Sequence, residues 1–83
     1  MDVRSELVTL IDSTLGLGGR AMSFDDATPL MGAVPELDSM GVVSLLAALE
    51  DRLGIAIEDD EIDGSIFQTF GTLLEFVKGK VPQ

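Results

Sequence analysis

Apolar residues recur at helical spacing in three separate stretches of the chain. The first set is Val3, Leu7, Leu10 and Ile11; the second is Val42, Leu45, Leu46, Leu49 and Leu53; the third is Phe70, Leu73, Leu74 and Val77. This spacing places each set on one face of an amphipathic helix. It predicts one helix from about residue 3 to residue 15, a second from about 39 to 53, and a third that starts at 70. Gly16 and Gly54 are predicted to end the first two helices, and Thr69 to cap the third.

A long connection, Gly16 to Asp38, joins the first two predicted helices. It contains more apolar residues than a solvated linker would: Leu17, Met22, Phe24, Leu30, Met31, Val34 and Leu37. We therefore expect several of them to hold this loop against the core. The sequence Ser23-Phe24-Asp25-Asp26 can start a short turn of helix, and each residue before a proline, Thr28 and Val34, is expected to be extended.

The connection between the second and third helices is acidic. An apolar strip, Ile55-Ala56-Ile57, is expected to be extended, and residues 58–63 hold five acids in six positions. A single helical turn broken by Gly64 is plausible in that run, with Ile66 and Phe67 pointing inward. No stretch of the sequence predicts a β-strand. The expected fold is all-α: a small bundle of three main helices plus one short helix, with a long loop between helices 1 and 2, in a single domain over residues 1–83.

The amino-acid composition argues against several classes of function. With 15 acidic and 5 basic residues the chain has a net charge of −10, which argues against binding nucleic acids or anionic membranes. It has no Cys and no His, so thiolate catalysis, the usual zinc sites and histidine acid–base chemistry are excluded. We therefore expect a partner-dependent module and not an enzyme. The sequence shows no signal peptide and no transmembrane segment, which predicts a cytoplasmic protein without membrane insertion; we expect a monomer.

One segment carries a family resemblance. The residues Glu36-Leu37-Asp38-Ser39-Met40-Gly41-Val42-Val43 resemble the prosthetic-group site of acyl carrier proteins. The likeness extends along nearly the whole chain, through Leu53-Gly54-Ile55 and the Thr-x-Gly pattern Thr69-Phe70-Gly71. One departure is Thr72, where many members have an acid that completes a capping box with the threonine; we expect a small loss of local stability there.

The resemblance implies a function. Ser39 would receive 4′-phosphopantetheine from coenzyme A, and the thiol of that arm would carry acyl groups as thioesters that the bundle can shelter between its helices. The implied partners are a phosphopantetheinyl transferase and an acyl ligase or enzymes of the acyltransferase or ketosynthase type. A phosphodiester on Ser39 would lie at a helix N-terminus, where free N–H groups and the helix dipole favour negative charge. The plain alternative is that Asp38 and Ser39 only cap the helix.

Other interpretations remain open at this point. A peptidyl or aminoacyl carrier is less favoured, because such carriers usually have a Gly-Gly-x-Ser type of site. A second alternative is a non-carrier acidic helical module that responds to calcium. Residues 59–66 partly fit a calcium loop, although the twelfth position is Phe70 where a Glu is needed. The segments 37–50 and 60–64 also resemble carriers found with exopolysaccharide and exosortase gene clusters. The resemblance implies that such a carrier is accompanied by its own acyl ligase.

The residues around Ser39 are the candidates for partner recognition. On a helical wheel, the exposed side of the second helix, opposite its apolar stripe, carries Gly41, Ser44 and Ala48 and is neutral there, which suits a partner that uses apolar contact. The acids of residues 58–63 are expected to repel one another, which would raise their pKa values on folding. The candidate recognition residues are Glu36, Asp38, Met40, Gly41, Ser44 and Asp51. No metal site and no catalytic residue is assigned.

Overall fold

The computed structural model describes residues 2–81, and of Asp59 the backbone alone. Helix α1 spans Val3–Leu15, α2 spans Ser39–Leu53 and α3 spans Phe70–Lys80, as the apolar spacing predicts. Each helix buries the predicted face. The expected single domain also includes Met1, Pro82 and Gln83, which lie outside the described residues.

The connections contain three short 3₁₀ helices where one short helix was expected. They span Arg20–Ser23, Asp59–Glu61 and Gly64–Phe67. The turn predicted at residues 23–26 is wrong, because the helical turn in the loop lies a few residues earlier. The Asp12 carboxylate fixes it there: Oδ2 accepts the N–H of Gly19 at 2.8 Å and that of Ala21 at 3.2 Å.

The helix ends are set by local side chains and glycines. Gly16 and Gly54 adopt the left-handed conformation, with φ of 66° and 65°, which ends α1 and α2 as predicted. At the start of α3, Thr69 and Thr72 form a reciprocal capping box, with both N–H to hydroxyl distances at 3.1 Å. The missing acid does not leave the capping box open, because the Thr72 hydroxyl takes its place and also donates to the Ile66 carbonyl at 2.8 Å. The small loss of local stability stays a prediction.

Helix α1 is the centre of the packing. It contacts both α2 and α3, whereas within residues 2–81 no Cα atom of α2 lies within 8 Å of one in α3. The long loop and residues 55–68 fill the space between those two helices. The largest fully buried side chains come from all of these parts: Leu7, Ile11, Leu30, Leu45, Leu49, Phe67, Phe70, Leu73 and Val77. The core thus depends on the loop as well as on the helices.

The apolar residues of the long loop divide into two groups. Four of them are buried, as expected: Leu17, Leu30, Val34 and Leu37. Phe24 is half-buried and packs edge-on against Phe70, with ring centroids 6.0 Å apart. Met22 and Met31 are exposed, so the expectation that the loop is held by its apolar side chains is confirmed for most but not all of them.

The same loop is bonded to the start of α3. The N–H groups of Phe70 and Gly71 donate to the carbonyls of Thr28 and Asp26, at 2.8 Å and 3.0 Å. A Cβ atom on residue 71 would lie 2.6 Å from the Asp26 carbonyl oxygen, closer than real Cβ contacts allow. The glycine of the Thr-x-Gly pattern is therefore required by this close approach of two backbones.

The acidic turn is less repulsive than its sequence suggests. The Lys80 ammonium forms an ion pair with the Glu61 carboxylate. This ammonium and the Glu58 N–H, which also donates to the carboxylate, lower the pKa of Glu61. The hydroxyl and N–H of Ser65 lower the pKa of Asp63. The expectation that these acids have raised pKa values is wrong for both, because each charge has a hydrogen-bonding partner that the local charge pattern did not reveal.

Candidate functional site

Ser39 is the first residue of α2 and its side chain is exposed. The preceding residue, Asp38, has an extended backbone and caps the helix: its Oδ1 accepts the Gly41 N–H and its carbonyl accepts the Val42 N–H, both at 2.8 Å. In the part of the chain that the structure describes, the Ser39 hydroxyl makes no hydrogen bond. An incoming reagent would therefore meet an accessible hydroxyl that has no internal bond to break.

The chain reaches Ser39 by folding back over the first turn of α2. A Cβ atom on Gly41 would lie closer than 3.0 Å to the Glu36 carbonyl oxygen and 3.2 Å from Cδ2 of Leu15. Gly41 is buried by these two neighbours. The expectation that Gly41 lies on an exposed face is therefore wrong: the loop covers that side of the helix, and only a glycine leaves room for it.

Glu36 and Asp38 have structural partners within the protein. The Arg20 guanidinium forms an ion pair with Glu36. The backbone N–H of Glu36 itself and then Arg20 hold the pKa of this carboxyl below its usual range. The exposed Asp38 carboxylate, in contrast, accepts the Gly41 N–H as the helix cap and forms no ion pair within the described residues. Their recognition role stays a prediction, but the charge that Glu36 offers a partner is reduced by Arg20.

The exposed part of α2 is apolar close to Ser39. Met40 is 71% exposed and Val43 is 60% exposed, and Ala47 continues the same stretch of surface one turn later. Ser44 and Asp51 are also exposed, as predicted. Val43 was not among the recognition residues predicted from the sequence, although its position outside the buried stripe of α2 indicated that it is exposed.

The start of α2 fits an attached phosphodiester. The first N–H groups of a helix have no partner within the helix, and a negative charge near that end is stabilised by typically 0.3–1 kcal/mol. Because Asp38 uses its carboxylate as the cap and the chain contains no His, no base among the described side chains hydrogen-bonds to the Ser39 hydroxyl and activates it. Ser39 can thus be modified by an enzyme, but it is not set up to attack a substrate on its own.

The surface has one cleft beside α2 and another in the long loop. One, of about 240 Å³, lies between α2 and residues 57–62 and is lined by Val43, Leu46, Ala47, Glu50, Ile57 and Ile62. The Glu50 carboxylate accepts the Ile57 N–H at 2.9 Å there and so fixes the strip that follows α2. The other cleft, of about 330 Å³, lies in the long loop.

The described residues give no support for the calcium loop. Among the side chains that the structure describes, no three acids form a group that could hold a metal ion. Asp59, the first position of that loop, lies outside the described side chains. The twelfth position, Phe70, is fully buried in the core.

No helix of residues 2–81 combines the length and the apolar character needed to cross a bilayer.

Comparison with known proteins agrees with this geometry. A family described as "Phosphopantetheine attachment site" matches residues 5–78. The solution NMR structure of the holo acyl carrier protein from Nitrosomonas europaea is similar to the chain, with a TM-score of 0.86, 35% sequence identity and 95% of each chain covered. A comparison with curated proteins found no match.

Proposed function

The chain belongs to the phosphopantetheine attachment family, and on that basis we propose that Ser39 is the residue to which 4′-phosphopantetheine is attached. The observation that carries the proposal is the exposed Ser39 hydroxyl, which has no hydrogen bond to any described residue, at the N-terminus of a 15-residue helix. A second serine of α2, Ser44, is also exposed, but it lies more than one turn inside the helix and lacks the favourable end of the dipole.

The protein is an acyl carrier and not an enzyme. Its prosthetic group supplies a thiol that holds acyl groups as thioesters. In the attachment step the Ser39 oxygen forms a bond to the phosphorus next to pantetheine, the pyrophosphate bond of coenzyme A breaks, and adenosine 3′,5′-bisphosphate leaves. The hydroxyl proton goes to a base of the transferase, because this chain has none in place.

Intact mass spectrometry tests the attachment site. Wild type, Ser39→Ala and Ser44→Ala are each incubated with coenzyme A and a promiscuous phosphopantetheinyl transferase. We expect wild type and Ser44→Ala to gain one phosphopantetheine mass and Ser39→Ala to gain none. A mass gain in Ser39→Ala, or none in wild type, would show that the assignment is wrong. The Ser44 variant controls for the loss of a hydroxyl from the same helix.

The carrier interacts with a phosphopantetheinyl transferase and with acyl-handling enzymes, and we infer that those enzymes dock on the exposed apolar face of α2. Met40 and Val43 supply its surface next to Ser39, and Ser44 adds no charge. An enzyme that docks through basic residues would find one acid without an ion pair next to Ser39, the helix cap Asp38, since Glu36 is paired with Arg20 and Asp51 lies near the far end of the helix. Apolar contact therefore favours dedicated partners over general ones.

Added acids test this inference. Gly41→Asp is unsuitable, because its side chain would collide with the Glu36 backbone. Ser44→Glu combined with Ala47→Glu places two acids on exposed positions instead. We expect general fatty-acid enzymes to transfer acyl groups poorly to the holo wild type and better to the double variant. Equal and efficient transfer to both would contradict the specialised docking face, while the carrier function would stand.

The pathway is open to one direct measurement. The resemblance to carriers of exopolysaccharide and exosortase clusters favours a dedicated acyl ligase as the loading enzyme. We further propose a cytoplasmic, monomeric carrier. The mass of the acylated arm isolated from the native host would identify the acyl group. An acyl series typical of elongating fatty-acid synthesis would contradict the dedicated ligase.

A further inference from the structure

Arg20, in the first 3₁₀ helix of the long loop, is held in place by bonds outside its ion pair. The N–H groups of the residues on either side of it, Gly19 and Ala21, donate to the Asp12 carboxylate. Its own Nε donates to the Leu17 carbonyl at 3.1 Å, so part of the side chain is held as well. An exposed ion pair is usually weak because two long side chains must be kept in one geometry. Since these other bonds already fix much of that geometry, the ion pair of Arg20 loses less conformational entropy than most.

The ion pair covers the accessible oxygen of the Glu36 carboxylate. Oε1 of Glu36 is buried, and Oε2 is the oxygen that the Arg20 guanidinium contacts. The Arg20 side chain is 57% exposed, against 34% for the Glu36 side chain. A cation of another protein would therefore meet the positive guanidinium at the surface, and it could bind Glu36 only after it had displaced Arg20.

This ion pair lies close to the attachment site. Glu36 precedes Ser39 by three residues, and three residues of extended chain span at most about 11 Å. The Glu36 carbonyl also lies against Gly41, in the first turn of α2. An interface of ordinary size covers on the order of 800 Å² of each partner, roughly a circle of 16 Å radius. An enzyme centred on Ser39 therefore reaches both members of the ion pair.

We propose that Arg20 determines which enzymes act on Ser39, because it keeps the Glu36 carboxylate paired and unavailable to enzymes that bind carriers through basic residues. The proposal rests on the proposed attachment at Ser39. Within the described residues, the cap Asp38 has no ion pair, and loss of Arg20 would add Glu36 as a second such acid. An enzyme that docks by apolar contact with Met40 needs neither carboxylate. Arg20 therefore acts against basic partners and leaves apolar docking unaffected.

Two exposed arginines give matched variants. Arg52 is 61% exposed, pairs with Glu6 and lies about 20 Å along α2 from Ser39, so Arg52→Gln changes the net charge as Arg20→Gln does but at a distance. Glu36→Gln and the double variant of Arg20 and Glu36 complete the set, together with Arg20→Lys. Amide spectra verify that each variant is folded. If Arg20→Gln does not fold, Arg20→Met, which keeps the apolar stem, replaces it.

The measurement is the rate of phosphopantetheine attachment to the apo forms. Each form is incubated with coenzyme A and a phosphopantetheinyl transferase that binds carriers through basic residues. Initial rates from intact mass give kcat and KM, at about 0.1 M NaCl and at about 1 M NaCl, where the Debye length is about 10 Å and about 3 Å. Ser39→Ala is included as the control for the attachment itself.

We expect Arg20→Gln to lower KM about two- to fivefold with kcat unchanged, because the freed carboxylate adds binding that is equal in the ground and transition states. Arg20→Lys should keep the KM of wild type, since the positive charge remains. Arg52→Gln should change KM less than Arg20→Gln does. The gain from Arg20→Gln should be smaller when Glu36 is already replaced, because no carboxylate is then freed, and it should disappear at the higher salt concentration.

Two results would overturn the proposal by giving another cause. Equal gains in Arg20→Gln and Arg52→Gln would show that net charge alone is responsible. An equal gain with and without Glu36 would show that Arg20 acts through its own charge and not by holding that carboxylate. If every form except Ser39→Ala gains the phosphopantetheine mass with the same KM, the role of Arg20 is refuted and the attachment stands. If no form gains the mass, or Ser39→Ala gains it, the attachment at Ser39 is refuted instead.

Discussion

Replacing Gly41 by alanine tests how the chain reaches Ser39. In an exposed helix interior, a glycine-to-alanine change raises the free energy of unfolding by about 1 kcal/mol. Gly41 has helical neighbours on both sides, so its sequence context predicts the same gain. In the structure, however, the new Cβ would lie closer than 3.0 Å to the Glu36 carbonyl oxygen and 3.2 Å from a Leu15 methyl group.

The steric cost exceeds the gain in helix propensity. The methyl group of Leu15 can rotate away, but the Glu36 carbonyl belongs to a backbone held by the buried Leu37 and by the Asp38 cap. Overpacking of this kind costs about 1–3 kcal/mol. Against a propensity gain of about 1 kcal/mol, we expect Gly41→Ala to lower the free energy of unfolding by about 1 kcal/mol, or a melting temperature lower by about 4–8 °C.

Gly79 provides the control. It lies in α3 with no atom within 4 Å of its hypothetical Cβ, so Gly79→Ala should raise the free energy of unfolding by about 0.5–1 kcal/mol. Urea unfolding of the two variants and wild type, analysed with a common slope, measures both changes. If Gly41→Ala shifts the midpoint upward as Gly79→Ala does, the close approach of the loop to α2 is refuted.

Three further outcomes follow from the caps and charges. Thr72→Ala should lower the free energy of unfolding by about 1 kcal/mol, because it removes the capping box, and the exposed Thr9→Ala should change it little; equal effects in urea unfolding would contradict the cap. Because the folded-state pKa of Glu61 is lowered, the unfolded state binds more protons in acid. The stability that this carboxylate contributes is therefore present above its ordinary pKa of 4.5 and lost as the pH falls below it. In Lys80→Gln the loss of stability as the pH falls should be smaller than in wild type, and Lys78→Gln, which changes the charge equally, should have less effect. Urea midpoints measured against pH test this expectation. Identical pH profiles of the two variants would disprove the role of the ion pair. Added NaCl should raise the melting temperature, because it screens the net charge of −10. A melting temperature that does not change with NaCl would argue against charge repulsion. A melting temperature that rises and saturates with micromolar calcium, but not with magnesium, would favour a calcium site.

The helices were predictable because their signals are local. Apolar spacing of 3.6 residues, the glycines at 16 and 54 and the threonine at 69 each act on neighbouring residues, and the structure has all three helices within the predicted bounds. The exposure of Ser39 is likewise a consequence of its position at a helix start. Its modification remains a prediction that the mass experiment decides.

The misplaced features all depend on residues distant in sequence. Gly41 was expected to face solvent because its helical position lies opposite the apolar stripe, but the loop covers it. A glycine inside an otherwise regular helix was a signal of such a close approach. Glu61 was expected to be repelled by its neighbours, but Lys80, nineteen positions later, reaches it from the end of α3. A pattern of neighbours along the chain contains neither contact.

The loop that crosses the starts of α2 and α3 also couples their unfolding. The carbonyls of Glu36 and Asp26 lie against Gly41 and Gly71, and the two helices have no Cα atoms within 8 Å of each other in the described chain. Detachment of the whole loop would therefore expose the first turns of both helices. The amide of Gly71, which donates to the Asp26 carbonyl, should exchange with deuterium only when the loop detaches, so its protection reports the free energy of opening of the segment that leads to Ser39.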